Sequence, residues 1–327
     1  MKYIDTNWDI PFMNFALEEY LLTSAPKEDF IFFYIHKPSI IVGKHQNTLE
    51  EINKSFVDQE GIVVARRLSG GGAVYHDAGN LNFSFVKTAQ ESDMNNFEKF
   101  TRPIINALNS MGINAELSGR NDLLIEDKKI SGNAQYYKNG RILSHGTLLF
   151  NANLAKLSQA LNVKDLKIQS KGIKSVQSRV ANIIDYLEEP MTIYELKHKI
   201  LDFLDEDLAI EEYSLTKQEL EHINNLAKTK FELWEWNWGR SPDFSIQKMD
   251  KFSCGLIDVR LDIAKGIIKN CKIYGDFFSL NDIVNLENKM IGCMYTIAAL
   301  REVLDDDFIS TFFKDQSAES FIRFVTD

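Results

Sequence analysis

Residues 70–72 are three consecutive glycines, preceded by Arg66-Arg67-Leu68-Ser69 and followed by Ala73-Val74-Tyr75-His76. Consecutive glycines open backbone conformations closed to other residues and let a ligand approach the main chain. Successive amides in such a loop can cradle anionic oxygens. The two arginines bring charge and forked donors suited to phosphate. No Gly-Lys-Ser/Thr follows, so this is not a Walker A loop, and the spacing does not fit a dinucleotide fingerprint. The plain structural alternative is a flexible β-turn flanked by surface arginines.

Three further groupings carry candidate chemistry. In Lys128-Lys129-Ile130-Ser131-Gly132 a lysine stands beside a small Ser-Gly turn, from which it can reach an anion lying over that turn. Its compact charge suits a carboxylate attacking a phosphate, and then the acyl-adenylate. The alternative is a pair of exposed lysines in a hairpin. In Gly119-Arg120-Asn121-Asp122, Asp122 offers the hard oxygen that magnesium prefers, or else closes an Asx-type turn. In Ser144-His145-Gly146-Thr147, His145 suits the wall of an acyl pocket, or is simply a structural histidine. No Ser/His/Asp order and no metal-spaced histidine cluster is evident.

These groups need elements to hold them. Residues 11–24 read as a helix with Pro11 in its first turn and Phe12, Phe15, Ala16 and Leu22 on a shared face. Strand-like runs follow at 31–35, 40–42 and 62–65. Leu81, Phe83 and Phe85 alternate with Asn82 and Ser84, which predicts a half-buried strand. Residues 97–111 have helical spacing, and 123–125 read as a strand. Asn139-Gly140 between 135–137 and 142–149 is a hairpin signal. Helices are expected at 154–161, 192–204 and 216–230, with Thr192 and Glu195 forming a capping box. Beyond Trp238 the texture changes to short strands (254–261, 266–274) and then helices (280–285, 295–304, 319–325).

The expected fold class is α+β. A large catalytic domain, 1–245, carries mixed or antiparallel sheets flanked by helices, and a small α+β accessory domain spans 246–327. Helices and strands do not alternate regularly enough for a doubly wound fold. The 327 residues exceed one ordinary core, and 44% hydrophobic with 26% charged residues is a globular composition. A net charge of −10 argues against broad nucleic-acid binding but leaves room for a local basic pocket. Three sparse cysteines, Cys254, Cys271 and Cys293, fit a reducing compartment. The N-terminal MKYIDTNWDI lacks the apolar run of a signal peptide, and no stretch reaches the length of a membrane helix. The expectation is a cytoplasmic protein with no membrane partner.

Taken in order, these pieces resemble the lipoate–protein ligases of the two-domain bacterial type, within the biotin/lipoate ligase superfamily. The resemblance runs over nearly the whole chain. It rests on RRLSGGGAVYHDAGNLNFSF, then GRNDLLIEDKKISGNAQYY, SHGTLLFNANL, KGIKSVQSRVANI and FELWEWNWGRSPDF. The family couples lipoate to AMP using ATP and passes the lipoyl group to a carrier lysine. The resemblance implies that Arg67 contacts the adenylate. Gly72, Ala73, Val74 and Tyr75 would hold the nucleotide. Lys129 would be the essential lysine touching both lipoate and phosphate. Asp122 would lie near the phosphates or their Mg2+. Tyr34, Ser69, Gly71, His76 and His145 would line the lipoyl pocket. Lys171, Lys174 and Arg179 would close over the nucleotide, and a hinge at 239–242 would let the accessory domain rotate.

The implied partners are apo-lipoyl domains of 2-oxoacid dehydrogenase acyltransferase subunits and the glycine-cleavage carrier protein. One alternative is an octanoyl or lipoyl acyltransferase working through a cysteine thioester. Here all three cysteines follow residue 250, outside the candidate segments. Biotin–protein ligase is a second alternative, whose Gly-Arg-Gly-Arg-type loop is absent. A lipoate-binding protein without catalysis is a third, against which the presence of both Arg67 and Lys129 argues.

Overall fold

The computed structural model describes residues 1–161, 179–238 and 246–326. The strands are β1 (Lys2–Tyr3), β2 (Phe30–Tyr34), β3 (Ser39–Val42), β4 (Val63–Arg66), β5 (Val74–His76), β6 (Asn80–Thr88), β7 (Glu116–Ser118), β8 (Asp122–Ile125), β9 (Lys128–Lys138), β10 (Arg141–Leu149), β11 (Glu211–Glu212), β12 (Ile246–Phe252), β13 (Gly255–Ala264) and β14 (Ile267–Gly275). Among the described residues they form an eight-stranded sheet in the order β11-β1-β2-β6-β10-β9-β8-β7 and two three-stranded sheets, β4-β3-β5 and β12-β13-β14. β1 pairs in parallel with β2 and β11, and β3 with β4, while the other pairings are antiparallel. The two sheets of the N-terminal part are therefore mixed and the C-terminal sheet is antiparallel, as the pattern of elements predicts.

The helices that matter here are α1 (Pro11–Thr23), α2 (Phe97–Ser110), α3 (Ile193–Leu208) and α4 (Lys217–Leu226). One face of the large sheet is covered by α2 and α3, burying Phe83, Phe85, Ile104, Leu108, Leu196 and Ile200 together. The opposite face is covered by α1 and α4, whose apolar residues meet Phe30, Phe32 and Leu143. Thr192 caps α3 with its hydroxyl on the Glu195 amide, and Glu195 returns the bond to the Thr192 amide. The hairpin between β9 and β10 turns on Asn139 and Gly140, both with positive φ (54° and 73°), as a two-residue primed turn requires.

Two expectations change. The strand carrying Leu81, Phe83 and Phe85 is not half-buried, because Asn82 and Ser84 are as inaccessible as their apolar neighbours (1% and 0% exposed). Helix α1 lies over that face, so these polar side chains point into the protein rather than into water. The second change concerns Ser131-Gly132, which forms no turn and lies inside β9, next to an irregular register with β8.

The C-terminal sheet packs its own core of Ile257, Val259, Ile273, Phe312, Phe313 and Phe321. Its last strand leads into residues 275–279, which rest on the glycine segment. The Gly275 amide donates to the His45 carbonyl (2.7 Å), and His45 stacks on Phe277 with ring centroids 4.7 Å apart. A Cβ at Gly70 would overlap the Phe277 carbonyl oxygen, and one at Gly71 would come within 3.3 Å of the Phe278 ring. Arg120 closes the same contact from the other side by donating to the Cys254 carbonyl and covering Phe278 at 4.7 Å. The expected hinge at 239–242 lies outside the described residues. No helix among the described residues is long and apolar enough to cross a membrane.

Candidate functional site

The glycine loop joins β4 to β5, and β3 pairs with both strands. Gly71 has a φ of 88°, which favours glycine. Neither arginine before the loop is a surface residue: Arg66 is 8% and Arg67 6% exposed. Arg67 donates from Nη2 to the carbonyls of Gly70 (2.6 Å) and Gly72 (2.9 Å), and from Nη1 to Ile41 (3.2 Å). Its Nε reaches Ser69 Oγ at 3.0 Å. Peptide planarity then has a consequence. With the Gly70 and Gly72 oxygens drawn to Arg67, the amides of Gly71 and Ala73 face the other way. Arg67 thus shapes the glycine loop with its fork as well as charging it. Burial pulls its pKa down to about 10.

Arg66 does a different task. It binds the carbonyls of Gly43 (2.8 Å), Gln46 (2.8 Å) and Trp236 (2.8 Å) and the Thr48 hydroxyl (2.6 Å). Asn237 holds the Arg66 amide at 2.8 Å. The Trp-rich segment is therefore a brace behind the loop. Gly43 completes it, because a Cβ there would overlap the Gly71 carbonyl oxygen.

A cavity of about 120 Å³ opens in front of the loop. Arg67, Gly71, Gly72, Ala73 and Val74 line it with Lys129, and Tyr34, His76 and His145 line it with Phe15 and Ile41. A second cavity of about 220 Å³ adjoins it and includes Tyr75, Leu149 and Leu157. The two share Gly72, Ala73, Val74, Lys129, Gly132 and Thr147 on their rims. Residues predicted separately from four stretches of sequence thus meet in one place. Ser69 and Asp122 are exceptions that line neither cavity, Ser69 being fully buried behind the wall.

Lys129 stands at the seam. Its Nζ pairs with Asp122 Oδ1 at 2.8 Å across β8 and β9, with both side chains about one-third exposed. Gly132 leaves room for it, since a Cβ there would lie 3.0 Å from Nζ. The Gly132 amide donates sideways to Thr147 Oγ1 (3.1 Å). Asp122 is thus brought to Lys129. No group of three or more metal-ligating side chains occurs among the described residues. Arg179 lies within the described residues and Val180 bridges to Lys129, but Lys171 and Lys174 lie outside them.

Beside the His145 wall of the first cavity runs a buried relay. Ser69 Oγ is 2.6 Å from His145 Nε2, and His145 Nδ1 is 2.8 Å from Glu18 Oε1. Ser84 (2.7 Å) and Tyr34 (3.3 Å) donate to the same Glu18 oxygen. The Glu18 carboxylate only accepts, so His145 Nδ1–H donates to it, and a neutral His145 ring then accepts the Ser69 hydroxyl proton at Nε2. The order resembles a hydrolytic triad, but Ser69 borders neither of these two cavities and holds its neighbours instead. Burial and the nearby Glu18 raise the Tyr34 pKa well above its usual value. Sequence reasoning missed Glu18, Ser84 and Gly43. Glu18 had a signal, since it sits three residues after Phe15 and four before Leu22, on the apolar stripe of α1.

The cysteines stand apart. Cys271 is buried in β14 and Cys254 in the turn between β12 and β13, with burial pushing the Cys254 thiol up to about 11. Neither they nor Cys293 lines either cavity.

Residues 10–205 match the family model of the lipoyl protein ligase A/B catalytic domain, and residues 241–325 that of the bacterial lipoate protein ligase C-terminus. The chain is 45% identical to lipoate–protein ligase 1 of Staphylococcus aureus over 100% of both chains. Among solved structures it is similar to the bipartite lipoate protein ligase described with its E2 lipoyl domain from Thermoplasma acidophilum. That match has 31% identity and a TM-score of 0.65, covering 75% of this chain and 98% of that one. It is also similar to a lipoate-protein ligase A bound with ATP, with 29% identity and a TM-score of 0.64 over 73% of this chain and 99% of that one.

Proposed function

The chain belongs to the lipoate–protein ligase family, AMP-forming enzymes that activate lipoate and transfer it to a carrier lysine, and on that premise we propose how its residues divide the work. The first cavity takes lipoate, with its acyl chain among Phe15, Tyr34, Ile41, His76 and His145 and with Ser69 and Gly71 shaping that wall. The second takes the nucleotide, held by the backbone of Gly72, Ala73 and Val74 and by Tyr75. Lys129 serves both. The observation that carries this reading is the shared rim, where Lys129 and the loop amides border both cavities.

The chemistry follows from that meeting point. A carboxylate is a poor electrophile, so it first attacks the α-phosphate and expels pyrophosphate. Lys129 balances the charge that gathers between the two groups, and the Gly71 and Ala73 amides add fixed donors. Arg67 keeps those amides in place. A carrier amine then attacks the acyl carbon, and AMP departs with the electron pair of the broken C–O bond. No enzyme-bound acyl group is needed, in keeping with the remoteness of the cysteines.

A magnesium ion, if used, would arrive with the phosphates. Asp122 fits as its one protein carboxylate, because magnesium commonly takes one or two carboxylates and completes its shell with phosphate and water. It would offset phosphate charge. Asp122 also orients Lys129 directly. The catalytic unit would span 1–245 and the accessory unit 246–327. The carriers would be lipoyl domains of 2-oxoacid dehydrogenase acyltransferases and the glycine-cleavage protein, met in the cytoplasm.

The test is direct. The full chain is incubated with an apo-lipoyl domain, lipoate and Mg-ATP, and the carrier mass is followed. The expected result is a lipoyl-sized gain that requires ATP, with pyrophosphate released even without carrier. A gain from an acylated carrier without ATP would instead establish the transferase.

A further inference from the structure

Among the polar groups lining the acyl cavity, His76 is left unused by the reaction. Asn14, buried on α1, donates from Nδ2 to the Trp8 carbonyl at 2.9 Å, which fixes the orientation of its amide. The same nitrogen lies 3.1 Å from His36 Nε2. An amide nitrogen only donates, so His36 Nε2 accepts. Burial pushes the His36 pKa down to about 3, and the ring keeps a single proton, on Nδ1.

His36 Nδ1 is 3.1 Å from His76 Nδ1. It therefore donates, and His76 Nδ1 accepts. Burial also holds His76 far below the usual histidine value, so its one proton is on Nε2. That N–H is buried and has no partner among the described residues. His76 is 4% exposed and lines the acyl cavity, while His36 lines a separate cavity on its outer side. His76 borders the cavity, and its Nε2 edge lies across the ring from the Nδ1 that faces His36. Its polar neighbours are engaged. Tyr34 donates to Glu18, His145 is bonded through both nitrogens, and Asn82 binds the Tyr34 carbonyl at 3.1 Å.

A buried donor without an acceptor is costly, and a precise two-residue relay fixes this one in place. Beyond its carboxylate, lipoate carries only two heteroatoms, the dithiolane sulfurs. Octanoate, of equal chain length, has none. We propose that His76 donates from Nε2 to a dithiolane sulfur and so makes the pocket prefer lipoate to octanoate. His36 and Asn14 are positioning residues that set its tautomer. The inference rests on the acyl orientation given under Proposed function.

The test measures pyrophosphate release by the full chain with lipoate and with octanoate, each as kcat/KM. The wild-type ratio should favour lipoate. His76→Phe should lower that ratio roughly three- to tenfold, the size of one modest hydrogen bond. His76→Gln, which returns an N–H near the Nε2 position, should recover it. His36→Phe should lower it as well, a result that packing alone does not give. Wild-type protein offers a measurement free of folding effects, using 6-thiaoctanoate and 8-thiaoctanoate. At least one thia-acid should exceed octanoate several-fold. An unchanged ratio in folded His76→Phe, or no gain from either sulfur, overturns this inference alone. Absence of any adenylate from either acid overturns the ligase reading and this inference with it.

Discussion

Glu18→Gln isolates the buried relay beneath the acyl pocket. The carboxylate is fully buried, and one oxygen accepts from His145, Ser84 and Tyr34 while the other has no partner among the described residues. If the carbonyl of the substituted side chain keeps the first oxygen's place, the bonds survive as neutral ones. The two short bonds then lose about 1 kcal/mol each. The new amide nitrogen falls where no acceptor waits, which costs about 1–3 kcal/mol more. Arg67, whose charge Glu18 helps to balance, loses that compensation. The expected total is about 3–5 kcal/mol, the usual range for breaking a buried charged network. Reversible urea denaturation followed by tryptophan fluorescence measures it, and the KM for lipoate should rise in parallel. Glu221 is the control. Its side chain is 67% exposed and pairs with Lys217 at 3.9 Å, so Glu221→Gln should cost no more than about 1 kcal/mol. A loss for Glu18→Gln as small as that of the control, with lipoate KM unchanged, would refute the relay.

Lys129→Ala should cost less than about 1 kcal/mol of stability, because the Asp122 pair is part-exposed, yet adenylate formation should fall to background. Full pyrophosphate release by the folded variant would remove Lys129 from the mechanism. Gly43→Ala should weaken ATP binding at least tenfold by pushing the Gly71 carbonyl out of place, and titration with a non-hydrolysable ATP analogue checks it. Acid should destabilise the protein well above the carboxylate range. His36, His45 and His76 are buried and kept neutral, with His36 pushed down to about 3 and the others held well below the ordinary value. The unfolded chain binds protons at these sites below about pH 6.5, whereas the folded chain refuses them. Stability is therefore full above that pH and falls as the pH drops. At about pH 5.5 each histidine costs up to ~1.4 kcal/mol, and a flat denaturation midpoint between about pH 7 and 5 would count against this.

Much of the molecule was legible in the sequence. Hydrophobic spacing and Pro11 gave α1, Asn139-Gly140 gave the hairpin, and Thr192 with Glu195 gave a helix start, because each is a local preference. The glycine run, Lys129 and His145 were visible as chemistry-bearing residues for the same reason. What they meet was not visible. Arg66 and Arg67 read as forked donors for phosphate or else as surface cations, yet the fold buries both: Arg66 among carbonyls far off in sequence, Arg67 against its own glycine loop. Asn82 and Ser84 read as the wet side of a strand until α1 covers them. Ser131-Gly132 read as a turn, but pairing with β8 carries the strand through it, while the β10 ladder stops at Asn133. Glu18 sat unnoticed on an apolar stripe, because only the packing of α1 against the sheet brings His145, Ser84 and Tyr34 to its carboxylate. Local chemistry named the loop and the lysine. Long-range packing decided which donors remained free to face a ligand.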